Sequence, residues 1–198
     1  MKNIAIFASG SGTNAENMAR YFANNELIKM ALVLSNHADA GVHARVNAWG
    51  VPSFTFSKEE FAAATPILAK LAEYAVDFIV LAGFMSKIPD ALLDAFPDRI
   101  VNIHPALLPK FGGKGMYGHH VHEAVLAAGE SESGITIHYV NAHYDEGKIL
   151  FQAACPVLPD DTPDTLAQRV HQLEYAHYPR VVEQLLTMLP PFIAKGNE

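Results

Sequence analysis

Ile4-Ala5-Ile6-Phe7-Ala8-Ser9-Gly10-Ser11-Gly12-Thr13-Asn14 is the stretch on which the fold turns. A short apolar run reads as a strand, the Ser/Gly hexapeptide as a tight turn, and residues 15–22 have helical spacing. Strand, glycine turn and helix in that order open an α/β chain. The alternation continues with a strand at 30–34, a helix over 40–49 stopped by Gly50, and a weak strand at 52–56. Ser57-Lys58-Glu59-Glu60 is a capping box, which predicts a helix running towards Tyr74 despite Pro66. Residues 78–82 form a continuous apolar run, as in a strand covered on both faces. A helix over 89–96 and a fifth strand at 99–103 complete this part.

Such alternation gives a doubly wound, parallel sheet with right-handed crossovers. A loop rich in Gly and Pro follows at 105–118, then a helix over 119–128. Strands at 134–140 and 149–157 are joined by a polar link that lets them pair antiparallel, and Thr162 with Pro163 opens a long terminal helix that Pro179 should kink. The expected whole is one α/β domain over 1–198, mostly parallel, with an antiparallel pair near the C-terminus.

The charge balance, 14 basic against 21 acidic residues for a net of -7, disfavours nonspecific binding to nucleic acid. An anionic ligand therefore needs a local site. One cysteine, Cys155, excludes an internal disulfide and a cysteine-based zinc site. Met1-Lys2-Asn3 runs straight into a strand, and no apolar run approaches membrane-spanning length. The expectation is a cytoplasmic protein without membrane or metal.

Two clusters carry chemistry. Gly10-Ser11-Gly12-Thr13-Asn14-Ala15 formally satisfies the dinucleotide fingerprint, but Ser35-Asn36-His37 stands where that fingerprint needs an acid. Free N–H groups and a helix dipole still converge on such a turn, and a phosphate monoester fits it better than NAD. Asn102-Ile103-His104-Pro105 leaves the carboxyl end of a strand, where open α/β sheets place ligands. An amide and an imidazole two residues apart point to one side. Asn102 can donate to a developing oxyanion while His104 accepts or relays a proton. Asp145, on a second loop, is the acid that would orient the imidazole and raise its pKa. No nucleophile motif accompanies them, which suggests direct acyl transfer to an amine.

His119, His120 and His122 open a helix, yet no carboxylate stands out at ligand spacing in the run, and adjacent residues diverge by about 100°. Surface or packing roles are expected for most of them, as for Lys110 and Lys114.

The matching pieces Ser9-Gly10-Ser11-Gly12-Thr13-Asn14, Leu81-Ala82-Gly83-Phe84-Met85, Asn102-Ile103-His104-Pro105-Ala106-Leu107-Leu108-Pro109-Lys110, Asp145-Glu146-Gly147 and Glu174-Tyr175-Ala176-His177-Tyr178-Pro179 occur in order along the chain. With them the chain resembles phosphoribosylglycinamide formyltransferase, of the folate-dependent formyltransferases. The resemblance implies a Rossmann-like formyltransferase fold, and formyl transfer from the co-substrate 10-formyltetrahydrofolate to 5'-phosphoribosylglycinamide in purine synthesis. It implies Asn102, His104 and Asp145 as catalytic. Gly12, Thr13 and Asn14 would take the phosphate, helped by Lys58, which stands where the family has an arginine and lacks its two-pronged fork. Glu174 would bind the ribose hydroxyls. Met85, Ile88, Asn102, Asn141 and Asp145 would line the folate pocket. Residues 1–100 would form the phosphate half and 101–198 the catalytic and folate half. His119 is allowed at most a folate-side role. Small-molecule substrates are the only partners implied, for a monomer or homodimer. Other folate-dependent formyltransferases and 10-formyltetrahydrofolate hydrolase are the alternatives. Their usual additional domains, C-terminal for tRNA and N-terminal for regulation, are not expected in this sequence.

Overall fold

The structure, a computed structural model, describes residues 1–190. Two compact units divide the described residues, one of residues 1–100 with 182–190 and one of residues 101–181.

In the first unit β1 (Lys2–Phe7), β2 (Ile28–Ser35), β3 (Ser53–Thr55) and β4 (Phe78–Leu81) pair in the order β3-β2-β1-β4. Every pairing among these four is parallel, with Ile4 opposite Phe78 and Phe7 opposite Leu81. From Ile4 onward β1 is buried, as is the whole of β4, which is why both read as unbroken apolar runs. Helix α1 (Thr13–Phe22) buries Ala15, Met18, Ala19 and Phe22, positions that fall on one helical face. Phe7, Phe56, Phe61 and Phe84 form an aromatic cluster, Phe56 stacked on Phe61 with centroids 4.9 Å apart.

The capping box at Ser57 is present, Glu60 N–H donating to the Ser57 hydroxyl while the Glu60 carboxylate accepts from Ser57 N–H. The single helix expected from there is not. It divides into α3 (Lys58–Ala63) and α4 (Thr65–Glu73), with Ala64 at φ 60 between them. Pro66 has no N–H to continue α3, and its ring would meet the carbonyl four residues earlier, so it serves instead in the first turn of α4. Helices α2 (Val42–Asn47) and α5 (Asp90–Ala95) are shorter than the sequence suggested.

The second unit carries β5 (Ile100–His104, from its second residue), α6 (His119–Ala127), β6 (Glu132–Tyr139), β7 (Ile149–Pro156) and most of α7 (Pro163–Met188). The order β5-β6-β7 is antiparallel throughout. The expected antiparallel pair is therefore β6 with β7, and β6 runs antiparallel to β5 as well. At the start of α7, Thr165 N–H donates to the Thr162 hydroxyl and Pro163 takes the first helical position. The helix continues through Pro179 to Met188. Tyr178 on α7 is fully buried, and its hydroxyl donates to the Val101 carbonyl at 3.3 Å, which satisfies it.

Candidate active site

The catalytic trio proposed from sequence lies within the second unit. Asn102 and His104 stand two apart on β5, so both project from one face of the strand. Register with β6 sets His138 opposite Asn102 and Thr136 opposite His104. His138 Nδ1 donates to the Tyr139 carbonyl at 2.8 Å, which leaves the lone pair of a neutral ring on Nε2. That nitrogen accepts from Asn102 Nδ2 at 3.2 Å. The Asn102 amide nitrogen is thereby turned toward β6, and its second hydrogen remains for another acceptor.

Asp145 follows the exposed turn 141–144, where the Asn141 side chain accepts from His143 N–H at 2.9 Å. Its backbone has φ 58, in the left-handed region. One carboxylate oxygen lies 3.6 Å from His104 Nδ1 and accepts from Gly113 N–H at 2.9 Å; the other lies 3.5 Å from His138 Nε2. A single acid thus faces both imidazoles. Burial pushes Asp145 upward, but the pull of His138 and His104 in their protonated forms, with the Gly113 N–H, outweighs it and holds the carboxyl below its usual range. Asp145 is ionised at neutral pH.

His104 is 3% exposed. Its Nε2 donates to the Phe111 carbonyl at 2.7 Å, so Nδ1, facing Asp145, carries the lone pair in the neutral ring. The sequence expectation was a pKa raised by the acid. The net shift is downward, because burial outweighs the opposing pull of Asp145 and the Phe111 carbonyl. His104 is therefore neutral at rest, and the proton it can take up lands on Nδ1 beside the carboxylate.

The loop after His104 is pinned from β6 and β7. Thr136 Oγ1 donates to the Ala106 carbonyl at 2.7 Å and accepts from Leu108 N–H at 3.0 Å. Gln152 Nε2 donates both to Thr136 Oγ1 and to the Leu108 carbonyl. At Gly112 a Cβ would come within 2.4 Å of a Leu108 methyl and 3.2 Å of the Asp145 Cβ, so any larger residue there must displace the Leu108 side chain. Sequence reading missed His138, Thr136 and Gln152. The alternation of β6 puts Thr136 and His138 on one face, but without the β5 register nothing set them against Asn102 and His104.

The other expected residues are placed as follows. Glu174, on α7, is buried and pairs with His171 Nδ1 at 2.8 Å. Of the histidine run, only His122 is buried; its Nδ1 has no hydrogen-bond partner among the described residues, and burial first, then the neighbouring His171, lowers its pKa to about 4. His119 and His120 are exposed, and both reach Glu123, with His119 also 3.3 Å from Asp164. Glu123 is the carboxylate that the sequence reading passed over, although on a helix it lies three and four residues from them. In the first unit, Gly12 caps α1 at φ 78, with Thr13 and Asn14 half-buried in its first turn. A Cβ at Gly12 would lie 2.5 Å from the Val42 backbone, so the turn is closed to any other residue. Lys58 is exposed at the start of α3. Met85 is half-exposed and its N–H donates to the Ser9 hydroxyl at 3.1 Å, while Ile88 is buried.

A strand-end amide aimed by one imidazole, beside a carboxylate and a second imidazole, suits transfer of an acyl group. The chain belongs to the formyl transferase family, whose model matches residues 2–182. It is 39% identical over 191 residues to phosphoribosylglycinamide formyltransferase of Bacillus subtilis, covering 94% of this chain and 95% of that one. The chloroplastic phosphoribosylglycinamide formyltransferase of Arabidopsis thaliana is 42% identical over 187 residues, which are 91% of this chain. The match spans 64% of that relative's length. Among solved structures, phosphoribosylglycinamide formyltransferase of Bacillus halodurans superposes with a TM-score of 0.86 at 36% identity, covering 94% of this chain and 96% of that one. Among the described residues no helix is long and apolar enough to cross a membrane.

Proposed function

We propose that the protein transfers the formyl group of 10-formyltetrahydrofolate to the amine of 5'-phosphoribosylglycinamide, a step of purine synthesis. The observation that carries the reading is the joint placement of Asn102, His104 and Asp145, with Asp145 3.6 Å from His104 Nδ1. The names of the relatives supply the acceptor and the group transferred, and the family resemblance supplies the folate donor.

The amine attacks the formyl carbon, a C–N bond forms, and the carbonyl electrons move to oxygen. The spare Asn102 Nδ2 hydrogen donates to that oxyanion. His104, neutral at rest, gains a proton more readily as negative charge develops beside it, and Asp145 stabilises the resulting imidazolium. The proton His104 takes up is the one lost by the amine; it passes on by way of an Asp145-bound water to the folate nitrogen, whose bond to the formyl carbon then breaks as the oxyanion re-forms the carbonyl. Atoms and charge balance without a covalent enzyme intermediate.

Gly12, Thr13 and Asn14 take the ribonucleotide phosphate, with Lys58 adding positive charge, and Glu174 takes the ribose hydroxyls. Met85, Ile88 and the segment from Asn141 to Asp145 serve the folate. Residues 1–100 supply the phosphate side and 101–198 the catalytic and folate side, in a monomer or homodimer working in the cytoplasm. The test is tetrahydrofolate release by purified protein with 10-formyltetrahydrofolate, with and without glycinamide ribonucleotide. Release that needs the nucleotide, with formylated product in equal amount, supports the reading. Release at the same rate without it makes the protein a hydrolase.

A further inference from the structure

Three consecutive carbonyls of the glycine turn are tied down from outside it. Val42 N–H donates to the Gly10 carbonyl at 3.2 Å, and Glu16 N–H donates to the Gly12 carbonyl at 2.9 Å. Between them, the Ser11 carbonyl accepts from Arg45 Nε at 3.0 Å. Arg45 is in turn held by Glu16, whose carboxylate lies 2.6 Å from Nη1. All these residues belong to the first unit.

In a trans peptide the N–H points opposite the carbonyl, and no peptide from Gly10 to Thr13 is cis. Fixing the carbonyls of Gly10, Ser11 and Gly12 therefore aims the N–H groups of Ser11, Gly12 and Thr13 the other way. Successive N–H groups around a left-handed residue make a concave anion cradle, here Gly12 at φ 78. The dipole of α1 adds to it. Two of the three clamps are backbone bonds that come with helices α1 and α2. Only the middle one depends on a side chain.

We infer that Arg45 is a positioning residue for the ribonucleotide phosphate: it fixes the Ser11–Gly12 peptide so that Gly12 N–H faces the monoester, and Glu16 fixes Arg45. The inference rests on the phosphate role proposed above for Gly12, Thr13 and Asn14. Arg45 acts through the backbone, its guanidinium being engaged with Ser11 and Glu16. Gly41 supports the arrangement, since a Cβ there would press on the Ser11 carbonyl at 3.2 Å.

The test compares Arg45→Met, which keeps the aliphatic stem, with Arg45→Lys, which keeps the charge. Arg45→Met should raise the KM for glycinamide ribonucleotide about tenfold and the inhibition constant of ribose 5-phosphate in parallel. The kcat and the inhibition constant of ribose should stay within about twofold. A loss of peptide geometry persists at high salt and is only partly recovered by lysine, whereas a loss of charge alone is screened away. Equal weakening of ribose and ribose 5-phosphate, no weakening at all, or a defect abolished by salt would overturn the role of Arg45. Should the wild type bind ribose as tightly as ribose 5-phosphate, the phosphate reading itself fails. If Arg45→Met does not fold, as judged by its melting curve, Glu16→Gln must show the same selective loss at smaller size, and an unchanged Glu16→Gln overturns the inference.

Discussion

His122 makes the stability of this protein fall as pH drops, by an amount the structure sets. The ring is 2% exposed on α6, and its Nδ1 has no partner among the described residues. The charged groups around it are His119 on its own helix, His171 and Glu174 on α7, and His104 on β5, with burial the largest influence and Glu174 the one group pulling upward. Its pKa falls from 6.5 to about 4. A histidine depressed in the folded state is neutral in both states above 6.5, so it contributes nothing there. As pH falls below 6.5 the unfolded chain takes a proton that the folded one refuses, and stability is lost until the folded group titrates near 4. The full span corresponds to about 3 kcal/mol at about 1.36 kcal/mol per pH unit, of which about 2 kcal/mol is lost by pH 5. Urea unfolding of the wild type and His122→Gln at pH 7.5, 6, 5 and 4.5 gives the difference directly. His171 has the opposite sign: Glu174 raises its pKa, so its contribution is present below 6.5 and is lost as pH rises through the folded value. Because His171 is retained in both proteins, the difference contains only His122 and its coupling to His171. Parallel stability curves for the two proteins from pH 7.5 to 4.5 would refute the reasoning.

Replacing His138 by Phe removes the acceptor that turns the Asn102 amide. Turnover should drop about 10- to 100-fold with the nucleotide KM nearly unchanged, and an unaffected kcat would show that Asn102 is oriented otherwise. Gly112→Ala places a methyl against Leu108 and Asp145, which should cost about 1–3 kcal/mol of stability in a urea melt and lower kcat with it. A variant as stable and as active as wild type would mean that the carboxylate does not need this close passage. Lys58→Ala should raise the nucleotide KM several-fold at low salt and much less at high salt. No change at low salt returns Lys58 to the general surface.

The parts legible in the sequence are those where one physical rule acts alone. Unbroken apolar runs marked β1 and β4, and the capping residues Ser57 and Thr162 marked two helix starts. The residue pair Asn102 and His104 declared its shared face through strand periodicity. Pro66 was misjudged because helical spacing continued across it, whereas the missing N–H and the ring decided the outcome. Tertiary effects were harder to see. His138 acquires meaning only through the β5–β6 register, and the direction of the His104 shift depends on how far burial outweighs the pull of Asp145 and the Phe111 carbonyl. Arg45 sits in a weakly patterned helix, and nothing local connects it to a carbonyl 34 positions earlier.

The central claim, that His104 works beside Asp145 on a developing oxyanion, is tested most directly by single-turnover formyl transfer with His104→Ala. The account predicts a rate lowered at least about 100-fold while the nucleotide dissociation constant stays within a few-fold of wild type. A rate within a few-fold of wild type, about 1 kcal/mol or less of barrier, would contradict it.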